Sequence, residues 1–106
     1  MIDLDDENFE EEVLNKKGLF LVDFWSPMCV PCQRMNLVLD NVAKELEEKV
    51  MLGKLNIFEG PQTAKKYKVP ATPTVIIFKD GKPIERAVGL RSEQIFIKKL
   101  NSLIDS

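Results

Sequence analysis

Residues 19–32 read LFLVDFWSPMCVPC, and this stretch predicts a buried strand followed by the first turn of a helix. Its first half is apolar except for Asp23, which suits a central strand that is covered on both faces. A Ser-Pro pair ends the strand. The helix is expected to begin at Cys29, because Pro31 is tolerated in a first turn whose N–H groups have no partner within the helix.

Cys29 and Cys32 have the spacing of a Cys-x-x-Cys motif and are the two cysteines of the chain. Two cysteines placed at random in 106 residues would show this spacing about 2% of the time, so chance is a weak explanation. In the first turn of a helix, side chains at i and i+3 share one face, about 5–6 Å apart at Cβ. Disulfide Cβ atoms lie about 3.5–4.5 Å apart, so a small adjustment closes the bridge. The spacing therefore indicates reversible redox chemistry.

Strands and helices alternate on both sides of this stretch, in the predicted order β-α-β-α-β-α-β-β-α. The strands are expected at residues 2–4, 19–25, 50–57, 74–78 and 84–88. The helices are expected from Asp5 or Asp6 to about Asn15, from Cys29 to about Glu48, from 61 to Tyr67, and after Ser92. Alternation gives parallel pairings, and a turn at Asp80-Gly81 adds one antiparallel hairpin. We expect an α/β fold with a mixed central sheet flanked by helices on both faces.

The composition is that of one soluble domain covering residues 1–106, with 44% hydrophobic and 30% charged residues. The net charge of −2 implies no general attraction to nucleic acid or to an anionic membrane. No run of apolar residues is long enough to span a bilayer. Acidic residues follow the first positions, unlike a signal peptide, so we expect a cytoplasmic protein.

Histidine is absent from the chain, which excludes Ser-His-Asp and Cys-His catalytic arrangements within it. With two thiols, a four-cysteine zinc site would need a second copy of the protein. In the cytosol, a lone cysteine pair is more often catalytic or metal-binding than a structural crosslink.

Four features in register resemble the thioredoxin family, and the resemblance covers essentially the whole chain. The stretch from Val22 through Trp25 to the Cys-Val-Pro-Cys motif resembles the active-site segment of that family. Residues 71–74, Ala-Thr-Pro-Thr, resemble its cis-proline turn. Gly89 falls where the family has a glycine before the last helix, and Lys54 falls where a strand lysine faces the buried aspartate. The resemblance implies a thioredoxin fold.

Three residues near the motif depart from the family pattern. Val30 stands where thioredoxins typically have glycine, Met28 where they have tryptophan, and Gln33 where they have lysine. All three border the reacting sulfurs, so their effect on partner choice and reducing strength is open.

Cys29 is expected to be the attacking sulfur, because the positive end of a helix and its free N–H groups stabilise a thiolate. Cys32, one turn deeper, is expected to resolve the mixed disulfide and release the reduced client. The alternatives are an inert buried pair and a metal-binding pair shared across a dimer.

Asp23 and Lys54 are expected to assist the cysteines. Burial would raise the pKa of Asp23, which could then accept a proton from Cys32 directly or through one water. Lys54 is expected to pair with Asp23 across neighbouring strands and tune that carboxylate. The alternatives are a solvent-facing aspartate and an exposed lysine.

The resemblance implies that the peptide bond before Pro73 is cis, which places Thr72 beside Cys29 with its backbone free to pair with an extended client segment. Trp25 is expected to shield the sulfurs at the surface, the alternative being an ordinary core aromatic. The expected client-binding set is Trp25, Val30, Pro31, Thr72, Pro73 and Gly89.

The resemblance implies a cytosolic protein-disulfide reductase that is itself re-reduced by a thioredoxin-reductase-type partner. No cofactor or metal is expected, since the cysteine pair carries the electrons. We expect a monomer that meets its disulfide-containing clients transiently. The alternatives are a disulfide oxidase or isomerase on the same fold, and a non-catalytic binding module that uses it.

Overall fold

A computed structural model describes residues 1–105 and contains one five-stranded sheet with three α-helices. The strands are β1 (Ile2–Leu4), β2 (Leu19–Trp25), β3 (Val50–Asn56), β4 (Thr74–Lys79) and β5 (Lys82–Val88). The helices are α1 (Val30–Glu45), α2 (Pro61–Lys66) and α3 (Glu93–Ile104). The predicted order of elements is confirmed, except for the first helix.

The strand order in the sheet is β1-β3-β2-β4-β5, so β2 is the central strand, as its apolar sequence predicts. The pairs β1–β3 and β3–β2 are parallel. A π-helical segment connects β1 to β2, and α1 connects β2 to β3, so each connection crosses a face of the sheet and the next strand runs in the same direction. The pairs β2–β4 and β4–β5 are antiparallel, the second of them joined by the hairpin at Asp80-Gly81. Both turn residues have positive φ, 52° and 82°, as a tight hairpin of this kind requires. The mixed sheet is confirmed.

Helices cover both faces of the sheet, and each face has its own apolar cluster. On one face, α1 and α3 pack on residues such as Leu21, Leu52 and Ile77. On the other, α2 and the segment after β1 pack on an aromatic group that includes Phe9 and Phe78. Alternation along β2 explains the division, since successive side chains of a strand point to opposite faces.

The segment after β1 corrects the first predicted helix. Instead of an α-helix from Asp5 or Asp6 to Asn15, a turn is followed by a π-helix at Glu10–Leu14, in which the Asn15 N–H bonds to the Glu10 carbonyl at 2.9 Å. Phe9 and Val13 of this segment are nevertheless buried, as apolar residues four positions apart on one helix face would be. Apolar spacing reveals which face of a helix is buried, but it does not separate i+4 from i+5 hydrogen bonding.

Helix α1 ends at Glu45, three residues before its predicted end at Glu48. Leu46 terminates it and is itself buried, and its carbonyl accepts the N–H groups of Lys49 and Val50 in the turn into β3. Within residues 1–105, no helix combines the length and the apolar character needed to cross a membrane.

Candidate active site

Cys29 and Cys32 form a disulfide at the start of α1, with their Cα atoms 5.2 Å apart. Cys29 is the residue that caps the helix, with an extended backbone at φ −103° and ψ 108°. The central strand β2 ends four residues earlier and delivers the chain to this point. The predicted pairing of the two cysteines is confirmed.

The two sulfurs have different surroundings. Cys32 is fully buried, at 0% exposure, whereas Cys29 is partly exposed. The backbone N–H of Cys32 donates to the Sγ atom of Cys29 at 3.2 Å. A thiolate at position 29 would lie at the positive end of α1, within reach of this N–H group. An external disulfide can therefore reach Cys29 before it reaches Cys32.

The segment that precedes β4 lies against Cys29. The Thr72–Pro73 peptide bond is cis, as predicted, and the carbonyl oxygen of Thr72 is 3.5 Å from the Sγ atom of Cys29. The carbonyl of Pro73 accepts the N–H of Gly89 at 2.8 Å, which brings the end of β5 to the same place. Three segments that are distant in the sequence thus meet around one sulfur.

Ser26 is a residue of this site that the sequence reasoning missed. Its Oγ atom lies 3.2 Å from the Oγ1 atom of Thr72, and one of the two hydroxyls donates to the other. Its carbonyl accepts the N–H of Cys29 at 3.3 Å. The signal in the sequence was a hydroxyl residue at the junction of strand and helix, which we interpreted as a strand terminator.

Asp23 is a carboxylate buried at 0% exposure in the centre of the sheet. Neither of its oxygens has a hydrogen-bond partner within residues 1–105. Desolvation raises the pKa of Asp23 to about 7, against a smaller lowering by the positive charge of Lys54. A carboxyl group with this pKa can both accept and release a proton near neutral pH.

Lys54 lies opposite Asp23 in the pairing of β2 with β3, as predicted, but its ammonium group is directed elsewhere. The Nζ atom is 3.9 Å from the carboxylate of Asp3, which pairs with Lys54 from the β1 side. The same Nζ atom lies 5.7 Å from the centre of the Trp25 ring. Lys54 therefore acts on Asp23 through its electric field and not through a direct ion pair.

The surface beside Cys29 is largely apolar. Met28 is 90% exposed and Val30 is 66% exposed, and Pro31 is exposed as well. Trp25 is half-buried at the end of β2, so it is neither fully at the surface, as a residue that shields the sulfurs would be, nor an ordinary core aromatic. Gly89 has a φ of 94°, a conformation that side chains rarely adopt.

Among residues 1–105, no group of three or more His, Cys, Asp or Glu side chains is arranged to hold a metal ion. The chemistry that the cysteine pair itself offers is thiol-disulfide exchange at the two sulfurs.

Comparison with known proteins agrees with this geometry. The family model described as thioredoxin matches residues 1–102. A thioredoxin of Buchnera aphidicola is 44% identical over 93 residues, which cover 88% of this chain and 86% of that protein. Thioredoxin 2 of Chlorobaculum tepidum is 38% identical over 99 residues, 93% of this chain and 91% of that protein. A thioredoxin of Rickettsia bellii is 39% identical over 99 residues, covering 93% and 94% of the two chains.

Proposed function

This chain belongs to the thioredoxin family and is a thiol-disulfide oxidoreductase, and from that premise we propose how its residues divide the work of reducing client disulfides. The observation that carries the proposal is the asymmetry of the cysteine pair, with an accessible sulfur at position 29 and a buried one at position 32.

In the first step, the thiolate of Cys29 attacks one sulfur of a client disulfide. A bond forms between Cys29 and that sulfur, the client disulfide breaks, and the other client sulfur leaves as a thiolate that takes up a proton. The partial exposure of Cys29 and its place at the start of α1 support this assignment.

In the second step, Cys32 attacks the Sγ atom of Cys29 and displaces the client. The client leaves fully reduced, and the two electrons it has gained come from the two thiols of this protein, which end as the disulfide. Asp23 accepts the proton of Cys32, directly or through one water. Its raised pKa, about 7, supports this role, because such a carboxylate is a stronger base than an ordinary one. Lys54 tunes that pKa through its charge.

The client segment docks on the apolar surface next to Cys29 and pairs with the backbone of Thr72. The exposed side chains of Val30 and Pro31 and the small Gly89 support this placement, with the half-buried Trp25 beside them. Pro73, which the resemblance places in the client-binding set, is itself buried, so its part is to hold the cis turn that presents Thr72. A docking surface made of these few residues suits brief contacts with many clients.

A thioredoxin-reductase-type donor is proposed to return the two electrons to the Cys29–Cys32 disulfide. We further propose that the protein works as a monomer in the cytoplasm. The cysteines form one pair at an accessible helix start. In the cytosol such disulfides are usually transient and catalytic, which supports the cytoplasmic placement.

Reduction of insulin disulfides with dithiothreitol as electron donor tests the proposal. The wild-type protein is expected to accelerate the reaction, and Cys29→Ser is expected to abolish the acceleration. Cys32→Ser is expected to retain the first step only, so it accumulates a mixed disulfide with the client that mass spectrometry detects. A Cys29→Ser variant with full activity would contradict the assignment.

The reduction potential separates reductases from oxidases of the same fold. Reducing members of this fold have reduction potentials of about −270 mV, whereas strongly oxidising members have reduction potentials of about −120 mV. Titration against glutathione or dithiothreitol, followed by the emission of Trp25, is expected to give a value on the reducing side. A value near the oxidising members would overturn the direction of electron flow proposed here.

A further inference from the structure

A cavity of about 90 Å³ lies between β5 and α3, on the face of the sheet that carries α1. Its floor is apolar and consists of Val75, Ile77, Ala87 and Phe96. Sites for cofactors or drug-sized ligands have volumes of roughly 300–1,000 Å³, so this one is too small for them. It is of the size that accepts one aliphatic side chain.

Two positive charges on the rim of this cavity, Arg86 and Arg91, have no carboxylate partner among residues 1–105, and they differ in how far backbone carbonyls occupy their N–H groups. Glu85 and Lys99 form an ion pair with each other at 3.4 Å. The guanidinium of Arg86 donates to the carbonyl groups of Lys68 and Tyr67. Arg91 donates to the carbonyl of Leu90 at 3.1 Å, and no carboxylate of residues 1–105 lies within 4 Å of it. Arg86 uses two nitrogen atoms on carbonyls and Arg91 one, so the cavity combines an apolar floor with a guanidinium, that of Arg91, that has no carboxylate partner in residues 1–105 and N–H groups left to donate.

The cavity adjoins the proposed client-binding surface through Arg91, which lines the cavity and lies next to Gly89. The guanidinium of Arg91 lies 3.4 Å from the position that a Cβ atom on Gly89 would take. Gly89 bonds to Pro73, and Thr72 lies against Cys29. From Thr72 to Val75 on the cavity floor, the chain advances three residues, or about 10 Å of extended strand.

We propose that Arg91 and this cavity form a second anchoring point for clients, which binds a carboxylate side chain next to an aliphatic one. The inference rests on the proposed function, since the client is the one whose disulfide Cys29 attacks. An extended client that reaches both places carries its acidic and aliphatic residues about three positions from its reactive cysteine. The protein thus selects among clients by charge as well as by accessibility of the disulfide.

A set of short peptides tests this, each with one cysteine blocked as a mixed disulfide with thionitrobenzoate. The peptides differ in a pair of residues placed three positions from the cysteine, on either side of it. This pair is Glu-Leu, Gln-Leu, Lys-Leu or Glu-Ala. The protein is reduced with dithiothreitol and freed of it, and the second-order rate constant of its single reaction with each peptide is read from the released thionitrobenzoate. At low salt, the Glu-Leu peptide is expected to exceed the Gln-Leu peptide by up to about fivefold, the range of an exposed ion pair. Lys-Leu and Glu-Ala are expected to be poorer, and the charge preference is expected to shrink at 0.5 M salt, about the concentration at which exposed charges are screened.

Variants of the anchoring point supply the second arm. Arg91→Glu is expected to reverse the preference between Glu-Leu and Lys-Leu, and Arg91→Lys is expected to keep most of it. Ala87→Leu, which fills the cavity, is expected to remove the advantage of Glu-Leu over Glu-Ala. Lys17→Glu makes the same charge change as Arg91→Glu at an exposed site beyond the opposite end of β2, and it is expected to keep the wild-type order.

Insulin reduction is measured beside the peptides, so that the two proposals fail separately. If insulin is reduced but all peptides react alike, or if Arg91→Glu leaves the order unchanged, the anchoring point is wrong and the proposed function stands. If neither insulin nor any peptide is reduced, the proposed function is wrong and the anchoring point falls with it.

Discussion

Asp23 is the residue whose surroundings most affect both stability and chemistry. Its carboxyl group is buried without a hydrogen-bond partner in the described residues, and burial raises its pKa from 3.8 to about 7. The folded protein therefore holds a proton that the unfolded chain releases above about pH 4. Because the charged form is disfavoured in the core, the group that we propose as proton acceptor destabilises the fold at neutral and alkaline pH.

The free energy of unfolding is expected to fall as the pH rises from about 4 to about 7, and to level off above that. Between these values the folded state binds more protons than the unfolded state. The free energy of unfolding therefore falls by about 1.4 kcal/mol for each pH unit, or by about 4 kcal/mol in all. Asp23→Asn is expected to remove this dependence and to be more stable than the wild type at pH 8 by an amount of the same order. Urea unfolding of the oxidised protein at several pH values measures both.

Asp40→Asn is the control for this prediction, because it changes an exposed carboxylate on α1. It is expected to leave the pH dependence in place. A wild-type stability that rises between pH 4 and 7 would show that the sign is wrong.

Lys54 is shared between two carboxylates, so its influence on Asp23 is expected to respond to Asp3. Lys54→Gln is expected to raise the pKa of Asp23 further, because a nearby positive charge is lost. Asp3→Asn is expected to lower it, because the ammonium group that lies 3.9 Å from Asp3 is released toward Asp23. Carboxyl-carbon NMR titration of Asp23 measures both shifts. Equal pKa values in the two variants would contradict a shared lysine.

The hydroxyl pair of Ser26 and Thr72 joins the loop before α1 to the loop before β4, and its removal is expected to show in a double-mutant cycle. Ser26→Ala and Thr72→Val are each expected to lower the free energy of unfolding by about 0.5–1.5 kcal/mol, the range of one hydrogen bond. The double variant is expected to lose less than the sum. Strict additivity would mean that the two hydroxyls do not interact.

At the scale of elements, the short helix α2 depends on a residue far from it in the sequence. The residue at its N-terminal cap is Gly60, which has no side chain to accept the free N–H groups. Asp6 supplies the cap by accepting from the N–H of Gln62 and from the N–H and the hydroxyl of Thr63. Desolvation is the largest single influence and raises the pKa of Asp6, but the three hydrogen bonds together outweigh it and lower the pKa overall.

Asp6→Ala is expected to destabilise the protein by about 1 kcal/mol, as loss of a helix cap commonly does. Because the pKa of Asp6 is lowered by folding, its contribution is complete above the ordinary pKa and is lost as the pH falls through the lowered one. Hydrogen exchange is expected to quicken at the amides of Gln62 and Thr63 first. Glu59→Ala, an exposed change beside the same helix, is the control; equal losses in both variants would contradict a capping role.

At the scale of the whole molecule, access to Cys32 requires the structure to open. Its side chain, in the first turn of α1, is fully buried, so a reagent in solution meets it when the packing around it is lost. In Cys29→Ser, iodoacetamide is expected to label Cys32 at least about 100-fold more slowly than it labels Cys29 in Cys32→Ser. Destabilising variants such as Asp6→Ala are expected to raise the Cys32 rate alone. Comparable rates for the two thiols would overturn the division into attacking and resolving sulfurs.

The element order and the cysteine pair could be predicted from the sequence, because local patterns carry them. The apolar run of β2 indicates a central strand, and the spacing of the two cysteines indicates their pairing. Local patterns did not reveal that Glu10–Leu14 is a π-helix instead of an α-helix, since an i+5 hydrogen bond leaves the same residues on the buried face. The positions of Cys29, Cys32 and Asp23 followed from sequence and resemblance, whereas Ser26 was missed because its partner lies 46 residues away.

The sequence by itself determined which chemistry the protein can perform: two thiols in one helical turn, a carboxylate in an apolar strand, and no histidine. The tertiary structure alone decided which groups act together, because pairing in the sheet sets distances that the chain order does not contain. It directed Lys54 toward Asp3, joined Ser26 to Thr72, and left Arg91 beside an apolar cavity with no carboxylate partner in residues 1–105. The physical reason is that charge and hydrogen-bond interactions depend on separation in space, and folding brings together residues that are far apart along the chain.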